Sequence, residues 1–449
     1  MDNNRETWGS KFGYIMATAG FAVGFGSIWR FPYLTGSCGG GAFVLVYLIL
    51  SLVVGVPLFT AEMTLGRKAK STPIDGMRRL AGKGSIWVSF GWLSVGAAIL
   101  IMAYYNVLLS LVLIYIVKMA KGDFTGITAE SSASAYEAVC ANPALIAAGL
   151  VIMLLLIGFI VMKGLKNGIE KYSKVLMPAL LVMLVIVAVR SCTLDGAVEG
   201  IVWYLAPDLG AITPKVIFQA LSQVFFATGC GMAVAFVYGS YLDEETGSIP
   251  GDSLLIIVLN TGVALIAGLC MFPAIFAFDM EPDLGASLIF KTMPVVFSQI
   301  PMGRIFGTIF FILVLIAATL TAIGLVEAIS GVISDAFGWS RKKGIAASLI
   351  LIFLLNIPAM LSYNIWADIK ILGKNFFDLF DYLSGNVLLI WAGVVLCAYI
   401  IFKWGFSAYM NDANAGAKKI KVKKWWKPIV CLFVPVLVIV VAVGSLLSF

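Results

Sequence analysis

Two short runs hold the residues best suited to chemistry. Residues 20–32, GFAVGFGSIWRFP, lie inside an apolar stretch from Phe12 to about Thr35 and set Gly20, Gly24 and Gly26 ahead of Arg30 and Pro32. Residues 225–232, FFATGCGM, set Gly229 and Gly231 near the middle of a second apolar stretch. Glycine costs about 1 kcal/mol against alanine inside a helix, so such clusters predict helices that break partway. Freed carbonyls then attract a cation and freed amides an anion. At membrane depth, broken backbone is tolerated only where protein buries it or a cavity borders it. The plainer reading is a kinked helix packed on a neighbour. Arg30, Glu62 and Glu327 also fall inside apolar stretches, where an ionisable group is a functional candidate by default. The chain has no histidine, no paired-cysteine metal motif and no nucleotide-binding signature. It is therefore not expected to be an enzyme or to hold zinc.

The elements that must position these runs are membrane spans. Of 449 residues, 61% are hydrophobic and 12% charged, with mean hydropathy +1.00; soluble domains carry about twice that charge. Long apolar runs predict eleven transmembrane helices, at about 12–36, 41–66, 86–118, 142–162, 168–191, 214–241, 253–278, 303–337, 345–363, 376–404 and 427–448. The chain thus reads as an all-α polytopic membrane protein with a single transmembrane domain over 1–449. Most lysines and arginines fall in segments on one side, including Arg67, Lys68, Lys163, Lys166, Arg341 and the 418–427 run. That asymmetry predicts a cytoplasmic N-terminus, and eleven spans then put the C-terminus outside. The 418–427 run reads as a topology signal facing anionic lipid rather than a nucleic-acid site. The opening residues lack the pattern of a cleaved leader, so span 1 is expected to act as its own insertion signal. Cys140 and Cys192 flank outer loops, which leaves a disulfide between them open.

The second glycine-broken span opens a second set of five. Spans 1–5 (about 12–191) and 6–10 (about 214–404) read as two halves, each beginning with a broken helix, with span 11 peripheral. Five is odd, so the halves are inverted, and the two breaks face each other. A matched pair of interrupted spans is the best sequence pointer to a transport site.

Further motifs are RETWGSKFG at the N-terminus, GGGAF at 39–43, Glu62 with Gly66 and Arg67, and YYN at 104–106. GIEKYSKVLMP at 168–178, WYLAPD at 203–208 and QVFFATGCG at 223–231 follow. With these the chain resembles the neurotransmitter:sodium symporter family, whose fold is named for the bacterial leucine transporter. The resemblance implies a 5+5 inverted repeat, and sodium-coupled uptake of an amino acid into a bacterium across its inner membrane by alternating access. It places a substrate carboxylate at Phe25, Gly26 and Tyr105, beside Ala22 and Ala227. Gly24 stands where amine-selective relatives have an aspartate, which favours an amino acid. Phe21, Ile101, Phe226, Gly229, Met232, Thr321 and Leu325 would line an apolar side-chain pocket, suited to a neutral, hydrophobic or aromatic substrate.

The resemblance also implies ion sites, and here the chain departs from the pattern. Sodium wants several oxygen ligands. The first site would comprise Ser27 in place of an asparagine, Asn260, and carbonyls of Ala22 and Ala227. The second would comprise Gly20, Val23, Ala317 and Thr321, with Leu320 replacing one hydroxyl. One sodium is expected, with the second site as its seat. Tyr47 and Gln223 remain of a chloride site while Ala227 and Ala264 do not, so no chloride requirement is expected. Gates would be Arg30 with Asp381 on the outside and Arg5 with Asp335 on the inside, helped by Trp8, Ser240 and Tyr241. Gly168 and Pro178 share the spacing at which span 5 would unwind. Because both ion sites lose ligands, proton coupling through Glu62 or Glu327 and sodium-independent transport stand as alternatives; the preferred role for both carboxylates is capping freed backbone amides. A non-transporting amino-acid sensor is a further alternative. No obligate protein partner is implied.

Overall fold

The structure, a computed structural model, describes residues 6–243, 248–280 and 288–447. Among these every named element is helical; the only bridge is the isolated pair Ile371 and Lys374. An intact span satisfies its own backbone, the condition that hydrocarbon imposes. Among the described residues nine helices are long and apolar enough to cross a membrane: Gly41–Ala69, Ile86–Lys121, Pro143–Met162, Leu165–Cys192, Ile249–Ala277, Gly303–Phe337, Arg341–Leu361, Phe376–Trp404 and Trp426–Gly444. Lys11–Ala22 and Gly26–Ser37 form a tenth span, bent by 49° at its break. Pro214–Thr228 and Val234–Ser240 form an eleventh, interrupted by five residues. The described helices thus match the expected eleven spans, numbered below in chain order.

Burial separates centre from rim. Spans 3 and 8 bury 83% and 78% of their most apolar windows, whereas spans 5 and 11 bury 33% each. The first pair therefore forms the interior around the broken spans, and the second faces lipid. Close crossings hold the interior together. A Cβ on Gly66 of span 2 would lie 1.9 Å from the Phe236 carbonyl of span 6, and one on Gly239 would lie 2.3 Å from the Met63 carbonyl. Spans 2 and 6 thus meet backbone to backbone, which only small residues permit. Buried amides tie span 3 to span 9: Asn356 Nδ2 donates to the carbonyls of Met102 (2.8 Å) and Ala103 (2.7 Å), and Asn106 Nδ2 donates to Asn356 Oδ1 (3.0 Å).

Several boundaries shift by three or four residues from the sequence reading, among them the starts of spans 5, 7 and 9 and the ends of spans 2 and 3. Span 9 starts at Arg341 instead of near 345, after extended backbone at Ser340, and Arg341 pairs with buried Glu327 of span 8. Span 5 starts at Leu165, where a stretch of π-type turns runs through Gly168 to Glu170. Cys140 and Cys192 are both free thiols.

Candidate functional site

Span 1 breaks over residues 23–25, just beyond Gly20. In a continuous helix the Phe25 N–H would bond the Phe21 carbonyl. Here that bond is split, and each half finds a hydroxyl from another span. Phe25 N donates to Tyr105 Oη at 3.2 Å, and Thr321 Oγ1 donates to the Phe21 carbonyl at 2.7 Å. Tyr105 comes from span 3 and Thr321 from span 8, so the two most buried spans hold the break open. Gly24 makes this possible: a Cβ there would lie 2.3 Å from Thr321 Oγ1 and 2.7 Å from Tyr105 Oη.

Span 6 breaks at Gly229, Gly231 and Ala233, with φ of 68°, 78° and 65°. The Gly231 N–H freed there donates to Glu62 Oε2 at 2.8 Å, so Glu62 caps a loose amide as expected. The two breaks touch. Gln223 Nε2 donates to the Gly26 carbonyl at 2.6 Å, and a Cβ on Gly26 would lie 3.0 Å from the Phe226 ring and 3.2 Å from Ala227 Cα.

Between them lies a cavity of about 10 Å³, lined by Phe21, Ala22, Gly24, Phe25, Gly26, Ile101, Tyr105, Phe226, Gly229, Met232 and Thr321. Eleven of the thirteen residues named for substrate thus share one wall. Leu325 is fully buried but does not line the cavity, and Ala227 stands behind it.

The residues expected for the first cation site are gathered. Ser27 Oγ bonds Asn260 Oδ1, and Asn260 Nδ2 donates to the Ala227 carbonyl at 3.2 Å. Both side chains are fully buried. The Ala22 carbonyl accepts from Gly24 N at 3.1 Å. These oxygens fit the demand of a hard monovalent cation. In the second group the one side-chain oxygen comes from Thr321. Thr321 faces the cavity and the Phe21 carbonyl, touching the Ala317 carbonyl only at 3.5 Å. Leu320 instead packs its side chain onto Gly20, with a methyl 3.0 Å from where a Cβ would stand; Val23 is buried at the break. The Thr321 hydroxyl donates its proton to the Phe21 carbonyl and keeps its lone pairs, so both groups retain oxygen donors. At the chloride position, the Gln223 amide bonds the Gly26 carbonyl and Arg30, while Tyr47 is buried.

The outer pair expected from sequence is not made. Arg30 lies over the Phe226 ring, 4.8 Å from its centroid, and donates to Ser222 Oγ (3.2 Å) and Gln223 Oε1 (3.3 Å). Span 6 offers these acceptors within reach, and among the described ion pairs none joins Arg30 to Asp381. At the other end, Arg5 lies outside the described residues. Asp335 accepts from Thr72 Oγ1 at 2.7 Å. Trp8 is buried, and its Nε1 donates to the Tyr238 carbonyl at 3.1 Å. Ser240 turns back to the Val237 carbonyl at 2.5 Å.

Glu327 is not a backbone cap. Its two oxygens accept from Arg341 Nη1 (2.9 Å) and Nη2 (2.7 Å), and Tyr241 Oη donates to Oε1 at 2.6 Å. The carboxylate takes a bidentate cation over scattered amides because its burial demands a full counter-charge. Sequence reasoning missed Arg341 as its partner; fourteen residues separate them across a helix turn-around. It also missed Glu170, which accepts from Gly9 N (2.7 Å) and Ser10 Oγ (2.8 Å) and pairs with Lys174 at 2.6 Å. This ties the chain start to the π-type turns that open span 5. The acidic residue two positions after Gly168 was the available signal.

Comparisons with known proteins agree with this architecture. The model of the sodium:neurotransmitter symporter family matches residues 5–142 and 130–449. The uncharacterized sodium-dependent transporter YhdH of Bacillus subtilis is 36% identical over 98% of both chains. The human sodium- and chloride-dependent creatine transporter 1 is 25% identical, covering 95% of this chain and 76% of its own. The crystal structure of MhsT in complex with L-phenylalanine superposes with TM-score 0.90 at 35% identity, covering 98% of this chain and 100% of that one.

Proposed function

The chain belongs to the sodium:neurotransmitter symporter family, and on that premise we propose that it carries a neutral amino acid with an apolar side chain into the cell, driven by sodium. Its fold is the leucine-transporter type, and its relatives are sodium-dependent transporters in membranes. One observation carries the finer reading: the split backbone bond presents the Phe25 N–H and the Tyr105 hydroxyl at one point of an otherwise apolar cavity. That pair suits a carboxylate, and Gly24 offers no counter-charge that would select an amine. The lining offers no charge to match an ionised side chain. MhsT holds L-phenylalanine in its own complex.

Sodium would sit among Ser27, Asn260 and the Ala22 and Ala227 carbonyls, close enough to the substrate carboxylate to couple the two. Leu320 on Gly20 argues for one ion rather than two, and no chloride is required. Glu327 is neutralised by Arg341, which speaks against a proton-carrying role. Alternating access would part Phe226 and Arg30 on the outer side, and Trp8, Tyr241 and the Glu327–Arg341 pair on the inner side. Spans 1–5 and 6–10 act as inverted halves of one domain, in a bacterial plasma membrane with the N-terminus inside and the C-terminus outside. No enzymatic step and no obligate partner protein belong to this scheme.

The test is uptake of radiolabelled amino acids by liposomes containing the protein, with external sodium, with potassium in its place, and with an imposed pH gradient. Accumulation that depends on sodium is expected. Equal uptake under all three conditions overturns the coupling.

A further inference from the structure

We infer that Phe21 sets the size limit of the carried amino acid and restricts it to the smallest side chains, glycine and alanine. This rests on the reading of the cavity as an amino-acid site. The ring of Phe21 occupies the volume that the broken span 6 would otherwise release. A Cβ on Gly229 would fall 2.4 Å from Phe21 Cζ and 2.5 Å from Cε1. The other side of the ring faces span 8, where a Cβ on Gly324 would fall 3.1 Å from Cδ2. Two residues without side chains thus form a slot for one aromatic ring. Tyr238 closes it edge-on, with ring centroids 6.3 Å apart.

The ring has little freedom to yield. Its backbone is fixed by Thr321 Oγ1 on the Phe21 carbonyl at 2.7 Å, and the side chain is 2% exposed. Gly229 sits at φ 68°, so the opposing wall is strained for any other residue. The remaining walls are softer. Met232 is unbranched and adapts, and Phe226 lies under Arg30 at the outer mouth. Their movement admits the α-amino and carboxylate groups, while the floor beyond them stays filled. Forcing a larger side chain into a packed site is penalised as overpacking.

The experiment is sodium-driven uptake into proteoliposomes of glycine, alanine, valine, leucine and phenylalanine, compared as kcat/KM for wild type and Phe21→Ala. Wild type is expected to prefer alanine over leucine and phenylalanine by about 100-fold. Phe21→Ala is expected to raise the leucine-to-alanine ratio by about tenfold or more. Comparable wild-type rates for leucine or phenylalanine and alanine overturn the inference, as does an unchanged ratio in the variant. If Phe21→Ala fails to fold, Phe21→Leu is measured in its place, and the wild-type series decides by itself. Uptake of large but not small amino acids sinks the size limit and leaves the amino-acid reading standing. Uptake of none sinks both.

Discussion

Gly24→Ala tests the split hydrogen bond directly. The added methyl would stand 2.3 Å from Thr321 Oγ1 and 2.7 Å from Tyr105 Oη, so the hydroxyls must retreat by roughly 1 Å to reach ordinary contact. Thr321 then loses the Phe21 carbonyl, and Tyr105 loses the Phe25 N–H. Each buried backbone group left unpaired costs about 1–3 kcal/mol, so the site is destabilised by about 2–6 kcal/mol. Even the lower figure is about 30-fold in affinity. Equilibrium binding of labelled substrate to purified protein in sodium measures it, with thermal unfolding run in parallel to separate site damage from global loss. Adding Thr321→Ala removes the tightest contact, so the double variant should bind better than Gly24→Ala alone. Wild-type affinity in Gly24→Ala, or a double variant no better than the single, refutes the reasoning.

Asn260→Ala removes a carboxamide oxygen from the Ser27 cluster. The sodium concentration for half-maximal uptake should rise about tenfold, worth ~1.4 kcal/mol, while Thr321→Ala should leave it less changed. Arg341→Met strips buried Glu327 of its bidentate partner and should cost about 3–5 kcal/mol in detergent unfolding. Combined with Glu327→Gln it should recover most of that; an unshifted melt in the single variant would count against the pair. Gly66→Ala drives a methyl to 1.9 Å from the Phe236 carbonyl, so spans 2 and 6 must part, at about 1–3 kcal/mol or more. Reduced thermal stability with reduced uptake is the expected result.

Hydropathy and glycine clusters made the helices legible because each is a local property of a dozen or two residues. Spans 8 and 10 begin and end where their apolar runs do, and both breaks fall beside their glycines. The cavity lining was nearly as legible, since Phe21, Ala22, Gly24, Phe25, Gly26, Phe226, Gly229 and Met232 all belong to the two glycine-broken runs. Side-chain partners were not. Arg30 points to Ser222 and Gln223 instead of Asp381, and Glu327 takes Arg341. A long charged side chain has several acceptors within reach, and only packed positions choose among them.

Sequence alone determined that this chain spans a membrane, that two of its spans are interrupted, and that the cavity between them lacks a fixed charge at Gly24. Those follow from which residue types hydrocarbon and helices tolerate. Tertiary structure decided that Ser27 meets Asn260 and that Thr321 reaches the Phe21 carbonyl, because each contact joins residues far apart in the chain. It decided too that the Phe21 ring fills the hollow at Gly229, since that contact joins residues some two hundred positions apart. Occupied volume is a property of the packed interior, not of either residue's type.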